Sequence, residues 1–152
     1  MLARLCVRYP DLQWIFPVHL NPAVRGPVHR ILGGYTNLLL TEPVDYRTSL
    51  YLIKHARLVL SDSGGIQEEA PSFGTPVVVM REHTERMEGV HAGFATLAGQ
   101  DTQVIEAAVD AWLGDPARCR SLRDRTNPYG DGQASTRILA ALLDEPCEDF
   151  HG

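Results

Sequence analysis

Short apolar runs bounded by turn formers recur along this chain, and stretches with helical spacing separate them. The runs Trp14-Ile15-Phe16-Pro17-Val18, Asn37-Leu38-Leu39-Leu40, Leu58-Val59-Leu60, Pro76-Val77-Val78-Val79-Met80 and Gly93-Phe94-Ala95-Thr96-Leu97-Ala98 read as buried strands. Residues 1–9 place Leu2, Leu5 and Cys6 at helical spacing and stop at Tyr9-Pro10-Asp11, as the tail of a helix that begins further upstream. A helix from about Pro22 to Leu32 puts Val24, Val28, Ile31 and Leu32 on one face, with Gly33-Gly34 as its stop. Tyr46 to His55 forms the next, turning Leu50, Ile53 and Tyr46 inward, and a short helix runs to about Phe73. Asp101 caps a helix to Leu113, Asp115-Pro116 opens another through about Arg125, and Ala134 to Leu143 gives a last amphipathic helix before a frayed tail, 144–152. Strands entered from helices predict right-handed crossovers and one parallel sheet, an α/β class.

At 152 residues and 44% hydrophobic, the chain can bury roughly 68–70% of its unfolded surface, so one domain over 1–143 is the expectation. The net charge of -5 comes without a basic stripe, which argues against nucleic acid as a partner. Cys6, Cys119 and Cys147 are odd in number and widely spaced, supporting neither a disulfide framework nor a zinc site and fitting a reducing cytoplasm. Two arginines interrupt the first eight residues, so they do not read as a signal peptide. No apolar run of about 18 residues exists to span a membrane.

The richest chemistry lies between Leu58 and Glu88. After the third strand the chain turns at Ser61-Asp62-Ser63 and starts a helix that Ser63 can cap, while Gly64 and Gly65 let a ligand approach backbone N–H groups of the first turn. That geometry suits a phosphate or diphosphate, helped by the helix dipole. Glu68 and Glu69 follow within about one turn, and a carboxylate there can accept from two adjacent sugar hydroxyls, which suggests a nucleotide with an intact ribose. The same residues also read as a plain helix cap followed by a solvated first turn. Arg81 to Glu88 is a loop crowded with ionisable side chains. In an open parallel sheet ligands sit beyond the carboxyl ends of the strands, so His19, Val44, Ser63 and the 81–86 loop are expected on one rim. His29, His55, His83, His91 and His151 lack metal-ligand spacing, and no metal or cofactor is expected.

Asp62-Ser63-Gly64-Gly65-Ile66-Gln67-Glu68-Glu69-Ala70-Pro71, Gly74-Thr75-Pro76-Val77 and Thr84-Glu85-Arg86 resemble the non-hydrolysing UDP-N-acetylglucosamine 2-epimerases. The resemblance extends upstream through Pro17-Val18-His19-Leu20-Asn21-Pro22 and downstream through Asn127-Pro128-Tyr129-Gly130-Asp131-Gly132-Gln133-Ala134. It implies a Rossmann-like parallel sheet with flanking helices, the C-terminal half of a GT-B-like fold truncated on its N-terminal side. Ser63, Gly64 and Gly65 would hold the diphosphate of UDP, Glu69 the ribose hydroxyls, and Arg86 would be a further nucleotide contact through its bidentate fork. The alternative for Arg86 is a surface ion pair with Glu82, Glu85 or Glu88. His19 matches a position near the interdomain cleft, where bacterial members can hold a second, regulatory UDP-sugar; otherwise it is a structural hydrogen-bonder.

The implied reaction interconverts UDP-GlcNAc and UDP-ManNAc by eliminating UDP across C1 and C2 and adding it back after protonation on the opposite face of C2. The acidic catalytic residues of that family belong to its N-terminal domain and a catalytic histidine to the start of this one, so the fragment is expected to be inactive alone. The implied partners are UDP or UDP-GlcNAc, that N-terminal domain, and a second copy in a homodimer of the full-length enzyme. Val44 and Ser49 stand where close bacterial members usually carry Gln and Phe beside the nucleotide, and Met87 where proline is usual. The nucleotide-sugar half of a GT-B glycosyltransferase and a non-catalytic sugar-nucleotide-binding domain are the alternative readings. Loss of the preceding strand and part of the first helix is expected to uncover Trp14 and Ile15.

Overall fold

The structure is a computed structural model, and it describes residues 1–150; His151 lies outside them. Its elements run in the order α1 (Leu2–Arg8), β1 (Trp14–Pro17), α2 (Pro22–Leu32), β2 (Leu38–Thr41), α3 (Tyr46–His55), β3 (Val59–Ser61), α4 (Gly64–Glu69), β4 (Val77–Val79), α5 (Met87–His91), β5 (Ala95–Leu97), α6 (Thr102–Leu113), α7 (Pro116–Ser121) and α8 (Ala134–Leu142). Single 3-10 turns follow α4, at Ala70–Phe73, and α7, at Leu122–Asp124. The α/β class with parallel strands and flanking helices is as the sequence predicts. The expected single sheet is instead two: β1 pairs with β2, and β3-β4-β5 form a second ladder, all parallel. Alternation of strand and helix specifies that strands run parallel; it does not specify which strands pair laterally.

The chain divides into two compact units, Met1–Leu52 and residue 53 onward. In the first, Trp14, Phe16, Leu38 and Leu40 pack with Cys6, Leu32 and Val28. The pleat turns Ile15 and Leu39 the other way; they face each other in register and are 47% and 56% exposed. Of the two residues expected to be uncovered, Ile15 is exposed, while Trp14 packs into the core. Val24 and Ile31 of α2, expected on one face with Val28 and Leu32, and Tyr46 of α3, expected inward, are also exposed. Periodicity identifies residues that share a face, whereas burial needs a partner for that face. Asn37 ties the unit together, its Nδ2 donating to the carbonyls of Cys6, Tyr9 and Leu12 at 3.0–3.2 Å.

In the second unit β4 is buried along its length. Val77 and Val79 pack with Ala95, Ala70 and Ile53, against which Ile66, Phe73 and Val90 also lie. On the opposite face the Thr96 hydroxyl accepts from Trp112 Nε1 of α6 at 3.0 Å, and Arg118 covers the indole at 3.6 Å. Asp101 caps α6 through the N–H groups of Gln103 and Val104, as its sequence position predicts. The predicted loop 81–88 ends early, because α5 begins at Met87. Residues 144–150 form no helix or strand, although the Glu148 carbonyl accepts from Arg137 Nε.

Candidate functional site

Parallel pairing in register brings Ser61 beside Val79, so β3 and β4 leave the sheet at the same edge. The Met80 N–H donates to the Ser61 carbonyl at 3.0 Å, extending the ladder one step past the strands. Ser63 and the 81–86 loop therefore share a rim, as expected. His19 and Val44 follow the corresponding ends of β1 and β2 in the first unit, where Pro17 pairs with Thr41.

Ser63 occupies the position before α4 with extended backbone, φ -77° and ψ 129°, but its hydroxyl makes no capping bond. This corrects the expectation that Ser63 caps the helix. Its backbone is fixed from elsewhere: its N–H donates to Ser61 Oγ at 3.0 Å, and its carbonyl accepts from Gln67 Nε2 at 3.2 Å. The first-turn donors that a capping hydroxyl would satisfy are thus left for another acceptor.

Arg86 lies directly against that turn. A β-carbon built on Gly64 would stand 2.8 Å from Arg86 Cζ and 2.9 Å from Nε, so the absence of a side chain at Gly64 makes room for the guanidinium. Beside Gly65, Glu69 Oε1 and Ser63 Oγ each lie 3.9 Å from where a β-carbon would sit. Ser63, Gly64, Gly65, Glu69 and Arg86 are thereby brought together at one helix start.

Arg86 is itself held by carboxylates. Its Nε donates to Glu68 Oε1 at 2.6 Å, and Nη1 pairs with Glu85. The bond to Glu68 is the main reason its pKa is raised above the usual arginine value. Glu85 is lowered, first by its own backbone N–H and then by Arg86 and Arg81. Glu85 was a foreseen partner; Glu82 instead accepts from the Gln100 N–H at 3.1 Å.

A second layer of polar groups was not visible in the sequence. Gln67, only 2% exposed, accepts from the Thr84 hydroxyl at 2.8 Å, and the Thr84 hydroxyl accepts from the Arg86 N–H at 3.2 Å. Tyr129 Oη donates to the Arg86 carbonyl and accepts from the Gly89 N–H, both at 2.8 Å. Asn127 accepts from the Tyr129 N–H and donates to the Glu68 carbonyl and Ser72 Oγ. The one signal available was the 127–134 motif, read there only as part of the resemblance.

His19 is exposed, and its Nδ1 accepts from the Asn21 N–H at 3.1 Å, a local structural hydrogen bond. Asn21 in turn caps α2 through the Ala23 N–H. Val44 and Ser49 are half-buried. Met87 is the first residue of α5, where proline is also well suited because that N–H lacks an intrahelical partner. Among the described residues no three His, Cys, Asp or Glu side chains gather as metal ligands, and no helix is long and apolar enough to cross a membrane.

The profile of the UDP-N-acetylglucosamine 2-epimerase family matches residues 1–143. The chain is 51% identical over 141 residues to the Escherichia coli K12 UDP-N-acetylglucosamine 2-epimerase, covering 93% of this chain and 38% of that protein. Its structure resembles the Neisseria meningitidis UDP-GlcNAc 2-epimerase bound to UDP-GlcNAc, with TM-score 0.86 and 42% identity over 95% of this chain and 39% of the other. It also resembles S. aureus MnaA in its UDP co-structure, with TM-score 0.89 and 40% identity over 99% of this chain and 42% of that one. The chain thus spans well under half the length of these relatives.

Proposed function

Because this chain belongs to the UDP-N-acetylglucosamine 2-epimerase family, we propose that it is the UDP-binding, C-terminal portion of an enzyme interconverting UDP-GlcNAc and UDP-ManNAc. Residues 1–143 are the nucleotide-sugar-binding domain and 144–152 a tail. The diphosphate lies against Ser63 and the N–H groups of Gly64 and Gly65, Arg86 supplies a cationic fork, and Glu69 accepts from the ribose hydroxyls. The observation that carries this reading is the seat of the Arg86 guanidinium over Gly64, which sets a fixed positive charge beside uncapped backbone donors. A guanidinium has five donors. The two carboxylate pairs engage Nε and Nη1, and an incoming diphosphate competes with Glu68 for the fork.

As the bond from C1 to the diphosphate breaks, negative charge grows on the leaving group, and donors already aimed at it lower that barrier. Removing the C2 proton needs a positioned base, for which this reading assigns no group in the chain. Catalysis therefore waits on the N-terminal domain of the full-length enzyme, which works as a homodimer with His19 near the interdomain cleft. A reducing cytoplasm suits the three free cysteines.

The test is to titrate the chain with UDP by ligand-observed NMR and to incubate it with each sugar nucleotide. The expected result is UDP binding at about millimolar affinity without epimer interconversion. Turnover at ordinary enzyme rates contradicts the assignment of catalysis elsewhere, and no UDP binding contradicts the reading itself.

A further inference from the structure

Arg86 has both its backbone groups held by side chains, one from two residues earlier and one from forty-three residues further on. Its N–H donates to the Thr84 hydroxyl, which in turn donates to buried Gln67 Oε1, and Gln67 Nε2 donates to the Ser63 carbonyl at the start of α4. Its carbonyl accepts from Tyr129 Oη. Neither contact touches the guanidinium, yet together they fix where its stem leaves the backbone.

Tyr129 also closes the start of α5. Arg86, the residue before that helix, provides no side-chain cap, and the Gly89 N–H is one of the first-turn donors without an intrahelical partner. The Tyr129 hydroxyl accepts from it and donates to the Arg86 carbonyl, using both of its hydrogen-bonding capacities. A β-carbon on Gly89 would meet Tyr129 Oη at 2.6 Å, so the close approach depends on that glycine. Asn127 anchors the arrangement from below, joining the Tyr129 N–H to the Glu68 carbonyl and Ser72 Oγ. The same loop therefore grips the end of α4, which carries Glu68 and Glu69, and the stem of Arg86.

We propose that Tyr129 and Thr84 are positioning residues for nucleotide binding, holding the Arg86 guanidinium over Gly64 through its backbone without contacting the nucleotide. The inference rests on the UDP-binding reading above. A side chain held in place loses less freedom when it engages a ligand, so releasing the stem weakens binding even though every phosphate-contacting group remains.

The experiment is a double-mutant cycle on UDP affinity with the unaltered chain, Tyr129→Phe, Arg86→Ala and the double variant. Tyr129→Phe removes one hydroxyl and is expected to weaken UDP binding about tenfold where Arg86 is present. In the Arg86→Ala background it is expected to have no further effect. Thr84→Val, which removes the other tether, carries the same cycle should Tyr129→Phe fail to fold. As a ligand-free readout, the Arg86 Nε–H resonance should be slow to exchange in the unaltered chain and fast in either variant. Equal weakening in both Arg86 backgrounds, or an unchanged resonance, overturns the positioning role alone. An unaltered chain that does not bind UDP overturns the functional reading and this inference with it.

Discussion

The guanidinium of Arg86 lies so close over Gly64 that a β-carbon there would stand 2.8 Å from Cζ. Gly64 opens α4, and alanine is the better helix former by about 1 kcal/mol. The colliding atoms belong to a side chain that can swing away. Gly64→Ala should therefore leave the melting temperature unchanged or slightly raised while displacing Arg86 and weakening UDP binding about 10- to 100-fold. Thermal melts and a UDP titration on the same preparation separate the two effects, and a variant that binds UDP as before removes Arg86 from the site.

Ile15 and Leu39 form an exposed apolar pair on the uncovered face of the β1-β2 sheet. Such a face promotes association. The protein should self-associate with rising concentration, and Ile15→Lys or Leu39→Lys should reduce this. Sedimentation velocity across a concentration series decides it: a monodisperse monomer at high concentration would count against the prediction.

Burial pushes the Tyr129 phenol above its ordinary value near 10. The folded state then holds that proton more tightly than the unfolded state. The associated stability is complete below the unfolded value and is lost as pH rises from about 10 through the folded value. Alkaline destabilisation should be shallower in Tyr129→Phe than in the unaltered chain, although the variant is less stable at neutral pH. Melting temperatures between about pH 8 and 11 test this, and parallel curves would contradict it.

Asp131 accepts two parallel bonds from Arg137 of α8, at 2.8 and 2.7 Å, and this pairing holds its carboxyl well below the usual carboxylate range. Its contribution is present above the unfolded value of about 4 and fades as pH falls toward the lower folded value. Acid should therefore loosen α8 in the unaltered chain, and Asp131→Asn should show the looser state already at neutral pH with a flatter acid response. Amide exchange along α8 is the measurement, and identical protection in the two proteins at neutral pH would refute it.

The turn at Ser63-Gly64-Gly65 was legible because its pattern is local: apolar strand, glycine pair and the carboxylates of Glu68 and Glu69 lie within twelve residues of sequence, 58–69. The helix α5 was not, since its first turn is closed by a tyrosine hydroxyl forty residues further on. Gln67 between Ile66 and Glu68 gives no sign that it is buried, because its partner Thr84 arrives from the far side of β4. Ser63 shows the opposite limit. Its residue type fits a cap, but backbone tethers to Ser61 and Gln67 set the turn and the hydroxyl is not used for capping. Lateral strand pairing is likewise decided by remote contacts, and their absence leaves Ile15, Val24 and Ile31 exposed.

Glu69 decides most directly whether this helix start is a nucleotide site. It sits beside Gly65, about one turn along α4, and the ribose assignment requires its carboxylate to accept from sugar hydroxyls. UDP and 2′-deoxy-UDP should be titrated by ligand-observed NMR into the unaltered chain and into Glu69→Ala. The account predicts that the unaltered chain prefers UDP, that Glu69→Ala weakens UDP binding about 10- to 100-fold, and that the variant no longer distinguishes the two ligands. Equal binding of both ligands by the unaltered chain, with Glu69→Ala unchanged from it, would show that Glu69 is only a helix residue and contradict the account.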